Sequence, residues 1–188
     1  HDLFVITDEI YSELSYNGNH FSIAALPGMK ERTVYINGFS KGYAMTGWRL
    51  GYATAPPIIM EQMIKIHQFA IMAAPTTSQY AGIVALRNCD DNVAEMRESY
   101  NQRRRYLMKV LKDLDLPCFV PYGAFYIFPN ITEFGLSSEE FATRLVLEEK
   151  VAVVPGSAFG ESGEGFIRIS YAYSIEELKE AFEHIKSF

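Results

Sequence analysis

Cysteine is scarce: Cys89 and Cys118 are the only two in 188 residues. Two thiols cannot make a disulfide framework, and a reducing cytoplasm is the simplest setting. There is no internal repeat, no low-complexity segment, no signal-peptide pattern and no apolar run long enough to span a bilayer. Basic charge is also short, with 17 Lys and Arg against 23 Asp and Glu and a net charge of -6. That balance excludes a general nucleic-acid or anionic-membrane surface, because both need a basic face. Anionic ligands must therefore be caught by a few placed cations. His20, His67 and His184 lack a second ligand at metal spacing, so no metal is expected. What is present is apolar residue in quantity, 48% of the chain, enough for one large domain or parts of two.

The chain opens on His1-Asp2-Leu3 and enters a strand-like run at once, which reads as part of a longer protein. Leu3-Phe4-Val5-Ile6-Thr7 and Thr33-Val34-Tyr35-Ile36-Asn37 are apolar, partly β-branched runs separated by a length that suits a crossover between buried parallel strands. Residues 22–26 read as a short helical piece stopped by Pro27-Gly28, and residues 49–55 as a third strand, close enough to be antiparallel. Pro56-Pro57 begins a helix with Ile58, Met63, Ile66 and Ala70 at helical spacing. After a break, Thr76 or Thr77 is placed to cap a helix over 79–87, and Asp90-Asp91 to cap a long one ending near 114, with Met96, Tyr100, Leu107 and Leu111 on its apolar stripe. Arg103-Arg104-Arg105 on that helix reads as a solvated face. Strands over 118–121, 124–128, 151–154 and 166–171 and helices over 137–150 and 175–188 follow, an α+β pattern. A domain change is expected inside the long helix near 105, dividing the chain into 1–105 and 106–188.

Chemistry concentrates in Gly38-Phe39-Ser40-Lys41-Gly42-Tyr43-Ala44-Met45-Thr46-Gly47-Trp48-Arg49-Leu50-Gly51, directly after the second strand. A lysine at the end of a buried strand loses hydration, which favours the free amine needed to attack an aldehyde. Arg49 offers a flat, permanently charged fork suited to phosphate. Parallel strands would place Asp8 and Lys41 together at their carboxyl ends, where open α/β sheets bind ligands. Further on, Gly165-Phe166-Ile167-Arg168-Ile169-Ser170-Tyr171 sets an arginine inside an apolar strand, where a charge needs a partner.

The lysine run, the Asp8-Glu9-Ile10-Tyr11 segment and the stretch from Val153 to Tyr171 resemble class I (fold-type I) pyridoxal-phosphate-dependent aminotransferases. The resemblance implies an α/β fold: the end of the large cofactor domain, with a mixed, mostly parallel sheet, followed by a small α+β C-terminal domain. It implies that pyridoxal phosphate is anchored on Lys41, which also moves a proton between the substrate α-carbon and the cofactor. Asp8 would pair with the protonated ring nitrogen, Tyr11 would donate to the phenolic oxygen, and Arg49, with Ser40, would hold the phosphate. Arg168 would grip the substrate α-carboxylate. Relatives often carry serine three positions before the lysine; Gly38 stands there, leaving Ser40 as the available hydroxyl. Pro121-Tyr122-Gly123-Ala124-Phe125-Tyr126 is also similar to the family, as a strand with aromatic core residues or as a substrate contact. The implied reaction is ping-pong transamination between an amino acid and a 2-oxo acid in a cytoplasmic homodimer, with this chain as its later part and inactive alone. A carbon-sulfur lyase would use the same residues, and an aminotransferase-like sensor of a transcription regulator would need a basic module upstream.

Overall fold

The computed structural model describes residues 1–188. β1 (Val5–Asp8) and β2 (Thr33–Gly38) pair in parallel, with Ile6 opposite Val34 and Asp8 opposite Ile36. The crossover between them is built from three single 3₁₀ turns, Ser12–Leu14, Ile23–Ala25 and Lys30–Arg32, and Ser22 caps the second by accepting the Ala24 N–H at 3.2 Å. β3 (Gly51–Thr54) returns antiparallel to β2, as the sequence led one to expect. The sheet is therefore mixed in equal parts, one parallel and one antiparallel pairing, in place of mostly parallel. The expectation of buried strands fails on one face: Ile6 is 74% exposed and Ile36 is 36% exposed. A strand buried on both sides needs a covering layer on both, and on that face the cover reaches Val34 but not Ile6 or Ile36.

α1 (Pro57–Ala70), α2 (Thr76–Asn88) and α3 (Asp90–Asp113) follow. Proline opens α1, where a missing N–H costs nothing. The expected apolar stripe of α1 finds no core: no residue of the helix is buried. Neither threonine caps α2; both lie inside it after extended Pro75, and Ser78 Oγ in its first turn donates to the Trp48 carbonyl at 2.7 Å. Asp90 and Asp91 occupy the first turn of α3, where negative charge meets the positive end of the helix.

The chain divides into two compact units, His1–Arg97 and Glu98–Phe188. That division lies inside α3. The reason is that residues from 98 onward pack within the second unit: the Tyr100 ring lies 5.4 Å from that of Phe125, and Arg104 Nη1 donates to the Pro121 carbonyl at 3.3 Å. Arg104 is thus a half-buried tie and not part of a solvated face, whereas Arg105 pairs with Glu98 on the surface.

The second unit is α+β. β4 (Tyr126–Ile127), β5 (Val154–Pro155) and β6 (Ile167–Ser170) form an antiparallel sheet in the order β4-β6-β5, with α4 (Ser138–Glu148) and α5 (Ile175–Ser187). Its core gathers Leu107 and Leu111 of α3, Ile127, Phe141, Leu145, Ile167, Ile169, Tyr171, Phe182 and Ile185. The strands are shorter than their apolar runs. Residues 118–121 contribute a single bridge, Cys118 to Pro129, since prolines 117 and 121 cannot donate to a ladder. Ala124, at φ 59°, bends the chain out of the extended region before β4. Both cysteines are free thiols, and no helix is long and apolar enough to cross a membrane.

Candidate active site

The lysine loop hangs from Phe39. Its N–H donates to the Leu50 carbonyl at 3.2 Å, and its own carbonyl accepts from Tyr43 and Met45 at 3.3 and 3.2 Å, so residues 40–49 project from a closed base. The Phe39 ring, 5% exposed, packs against Tyr43 and Tyr52. Ser40 and Lys41 lie half-buried on the turn just beyond β2. Arg49 is exposed at φ 51°, its Nη1 donating to the Thr46 carbonyl at 3.1 Å. Ala44, at φ 52°, shares that left-handed conformation. Each such residue costs about 1–2 kcal/mol of backbone strain, which the bonds at Phe39 and the Ser78 tie to Trp48 hold in place.

Asp8 ends β1 and is exposed, with one carboxylate oxygen accepting the Ile10 N–H at 3.1 Å. Tyr11 begins the turn at Ser12–Leu14, its carbonyl accepting from Leu14, a residue with no exposed surface. Gly42 brings this segment and the lysine loop together. A Cβ on it would stand 2.8 Å from Glu13 Cγ and 2.9 Å from Glu13 Cβ, so only bare backbone lets the Lys41 turn lie against the residues that follow Tyr11. Gly38 is similarly crowded, since a Cβ there would meet Gly51 Cα at 3.0 Å and the Leu50 carbonyl at 3.1 Å. The absent serine hydroxyl thus coincides with a close approach of β2 and β3. Five of the six expected site residues, Asp8, Tyr11, Ser40, Lys41 and Arg49, lie at or just beyond the carboxyl end of the parallel pair, on two segments in contact.

Arg168 belongs to the second unit, on β6 opposite Val154. Its partners are aromatic, with the guanidinium carbon 4.5 Å from the Tyr126 ring centre and 4.7 Å from that of Phe159. Two π faces lower the cost of a cation in an apolar strand while leaving its N–H fork available to an anion. Tyr126 and Phe159 are functional candidates that residue type alone did not mark; Tyr126 lies in the family-like aromatic segment, which was the signal. Tyr43 and Tyr52, beside the lysine loop, stay protonated. Burial and the Glu13 and Asp90 carboxylates push the first up, and burial, with the Tyr35 hydroxyl next, pushes the second up to about 12.

Sequence reading also passed over Glu9. It is 6% exposed and accepts from Ser22 Oγ at 2.7 Å and Thr7 Oγ1 at 3.2 Å, with His20 Nε2 at 2.5 Å on its other oxygen. Burial works to raise its pKa, but the Ser22, His20 and Thr7 bonds and the His20 charge outweigh that and hold it below the ordinary carboxylate range. His20 is therefore a bonded partner of a buried acid. No group of histidines, cysteines and acids has metal-site geometry.

The donor set fits pyridoxal phosphate: an amine for the aldehyde, a guanidinium and a hydroxyl for the phosphate, a carboxylate for a protonated ring nitrogen and a phenol for the ring oxygen. The family described as aminotransferase class I and II matches residues 1–185. The chain is 55% identical over 188 residues to YugH of Bacillus subtilis, and 50% identical over 191 residues to an aspartate aminotransferase of Pyrococcus abyssi. The match takes in 100% and 99% of this chain and 49% of each of those proteins, so the chain spans about half the length of the curated relatives it matches. The crystal structure of an aromatic aminotransferase from Pyrococcus horikoshii superposes with a TM-score of 0.96 at 48% identity, covering 100% of this chain and 51% of that one.

Proposed function

The chain belongs to the class I and II aminotransferases, and from that premise we propose that the protein containing it moves an amino group between an amino acid and a 2-oxo acid with pyridoxal phosphate, in two half-reactions at one site. The observation that carries the reading is the convergence of an acid, a lysine and an arginine at the carboxyl end of β1 and β2. When bound, the cofactor supplies an electron sink for the α-carbon.

The chain's own residues do the rest. Lys41 would hold the cofactor through its amine and would carry the proton taken from the α-carbon. Asp8 keeps the ring nitrogen protonated, Tyr11 donates to the ring oxygen, and Arg49 and Ser40 hold the phosphate. Arg168, with its fork flanked by Tyr126 and Phe159, binds the α-carboxylate and so selects amino and 2-oxo acids. The reading places the complete protein as a homodimer, and expects no turnover from these 188 residues alone, because half of the relatives' length lies outside them.

Borohydride reduction of the complete holoprotein, followed by peptide mapping, is expected to place the label on Lys41; a label on Lys30 or Lys65 overturns the assignment. In the same protein Arg168→Leu is expected to weaken amino-acid binding by about 1.5–3 kcal/mol, the worth of hydrogen bonds to a charged group at a half-buried position, with cofactor retained. The reverse pattern would exchange the roles of Arg49 and Arg168.

A further inference from the structure

We infer that Glu9 is a positioning residue for the cofactor site: its buried carboxylate, tied to Thr7, His20 and Ser22, fixes the strand end that presents Asp8 and Tyr11. The inference rests on the roles proposed above for those two residues.

Side chains alternate along a strand, so neighbours 8 and 9 point to opposite faces of the sheet. Asp8 is exposed, and Glu9, the next residue, is buried. A side chain locked on one face fixes the direction of its neighbour on the other. Glu9 is bonded in every direction available to it. Its N–H donates to the Ile36 carbonyl at 2.8 Å, extending the parallel pairing one residue past β1, and its carbonyl accepts from Ser12 at 2.9 Å, starting the turn that carries Tyr11. Its carboxylate gathers the Thr7 hydroxyl from β1 and the Ser22 hydroxyl and His20 ring from the crossover. Ser22 in turn caps the Ile23–Ala25 turn. The crossover is made of single turns with no long helix, and this carboxylate ties His20 and Ser22 in its middle to the end of β1. Asp8 has only one local bond of its own, to the Ile10 N–H. A carboxylate that must face a ring nitrogen steadily needs its backbone held from outside, and supporting groups of this kind decide whether a site is tight or loose.

The test uses Glu9→Ala, His20→Ala, Glu9→Gln and Asp8→Asn in the complete protein. Two readouts are taken: pyridoxal-phosphate affinity with the bound-cofactor absorption spectrum, and backbone amide exchange at Ile10 and Ser12 without cofactor. Glu9→Ala is expected to weaken cofactor affinity about tenfold, to alter the spectrum in the direction Asp8→Asn does, and to speed exchange at Ile10 and Ser12 about tenfold while the second unit is unchanged. His20→Ala, which removes one half-exposed partner, shifts the same readouts less. Glu9→Gln keeps an acceptor for Ser22 and restores most of the loss, which a change of charge alone would not allow. If Glu9→Ala unfolds the chain, His20→Ala decides: faster exchange confined to Ile10 and Ser12 supports the inference, and unchanged exchange overturns it. Should Asp8→Asn lose the cofactor while Glu9→Ala keeps it with an unaltered spectrum, the inference about Glu9 falls and the proposed function stands. Should Asp8→Asn itself bind cofactor normally, the assigned role of Asp8 falls.

Discussion

The second unit has a closed core: Phe141 is 1% exposed, Leu145 and Leu107 are fully buried, and Phe182 is 3% exposed, although Phe119 and Leu147 stand outside it. In the first unit most large apolar side chains stand outside. Phe69 is 96% exposed, Met72 81%, Ile58 74%, Ile66 72% and Phe4 71%, and the buried apolar set shrinks to a few scattered residues such as Leu14, Val34 and Phe39. The two units have nearly the same length, so size does not explain the contrast. What differs is closure. The second unit wraps helices on its sheet and completes a core, whereas the first keeps β1 as an open edge and α1 with no buried residue. Five of the six candidate site residues lie in the unit that does not close. Those side chains are open to pack against surface outside this chain, which spans about half its relatives' length.

The largest expected effect falls on the closed unit. Phe141 on α4 packs edge-on to Phe134 and Phe188, with ring centres 5.1 and 5.0 Å away. Phe141→Ala is expected to destabilise that unit by about 3–5 kcal/mol, measured by chemical denaturation with amide exchange read separately for 1–97 and 98–188. A loss under about 1 kcal/mol would mean the second unit is no better packed than the first, and the contrast would be broken.

A smaller effect tests where the first unit is packed tightly after all. Gly42→Ala puts a methyl group within 3 Å of Glu13. Glu13 is exposed but its Cβ is fixed to the backbone, so the two segments must separate. A cost of about 1–3 kcal/mol is expected, with faster exchange at Leu14 and Tyr43 and none in the second unit. No change at either amide would show that the lysine loop and the Tyr11 segment are not held together.

Much of this was legible in the residues. The strand–loop–strand around Lys41 could be read because β-branched runs bounded by glycine leave few alternatives, and the long helix because two aspartates and an apolar stripe mark it. Three things were not legible. Strand length was overstated at 118–121 and 124–128, where prolines and a left-handed alanine interrupt extended backbone. Capping was misplaced at α2, since a threonine caps only from outside the helix and Ser78 spends its hydroxyl on Trp48. Partners drawn from distant positions were hidden as well. Nothing in the order of residues says that Glu9 meets Ser22 and His20, or that Arg168 lies between Tyr126 and Phe159. The residue types proposed for the chemistry were visible, and the side chains they pack beside were not, because packing is decided by tertiary contact.

The smallest expected effect is the sharpest test of the contrast, because it should be almost nothing. Ile58, Ile66 and Phe69 fall on one stripe of α1 by their 3.6-residue spacing, and each is more than two-thirds exposed. Phe69 has lost no water on folding, so its removal forfeits no burial energy within this chain. Serine and phenylalanine have similar helix propensities, and the site is at the last turn of α1, so backbone effects nearly cancel as well. Phe69→Ser is therefore expected to change the stability of the 188-residue chain by no more than about 0.5 kcal/mol, whereas Phe141→Ala costs several. Its visible consequence should lie elsewhere, in weaker self-association of the chain by sedimentation, since an apolar stripe open to water pairs with whatever apolar surface it meets. A loss of more than about 1 kcal/mol at a concentration where the chain is monomeric would mean that Phe69 is covered by the chain itself. The first unit would then close a core of its own, and the difference between the two units would disappear.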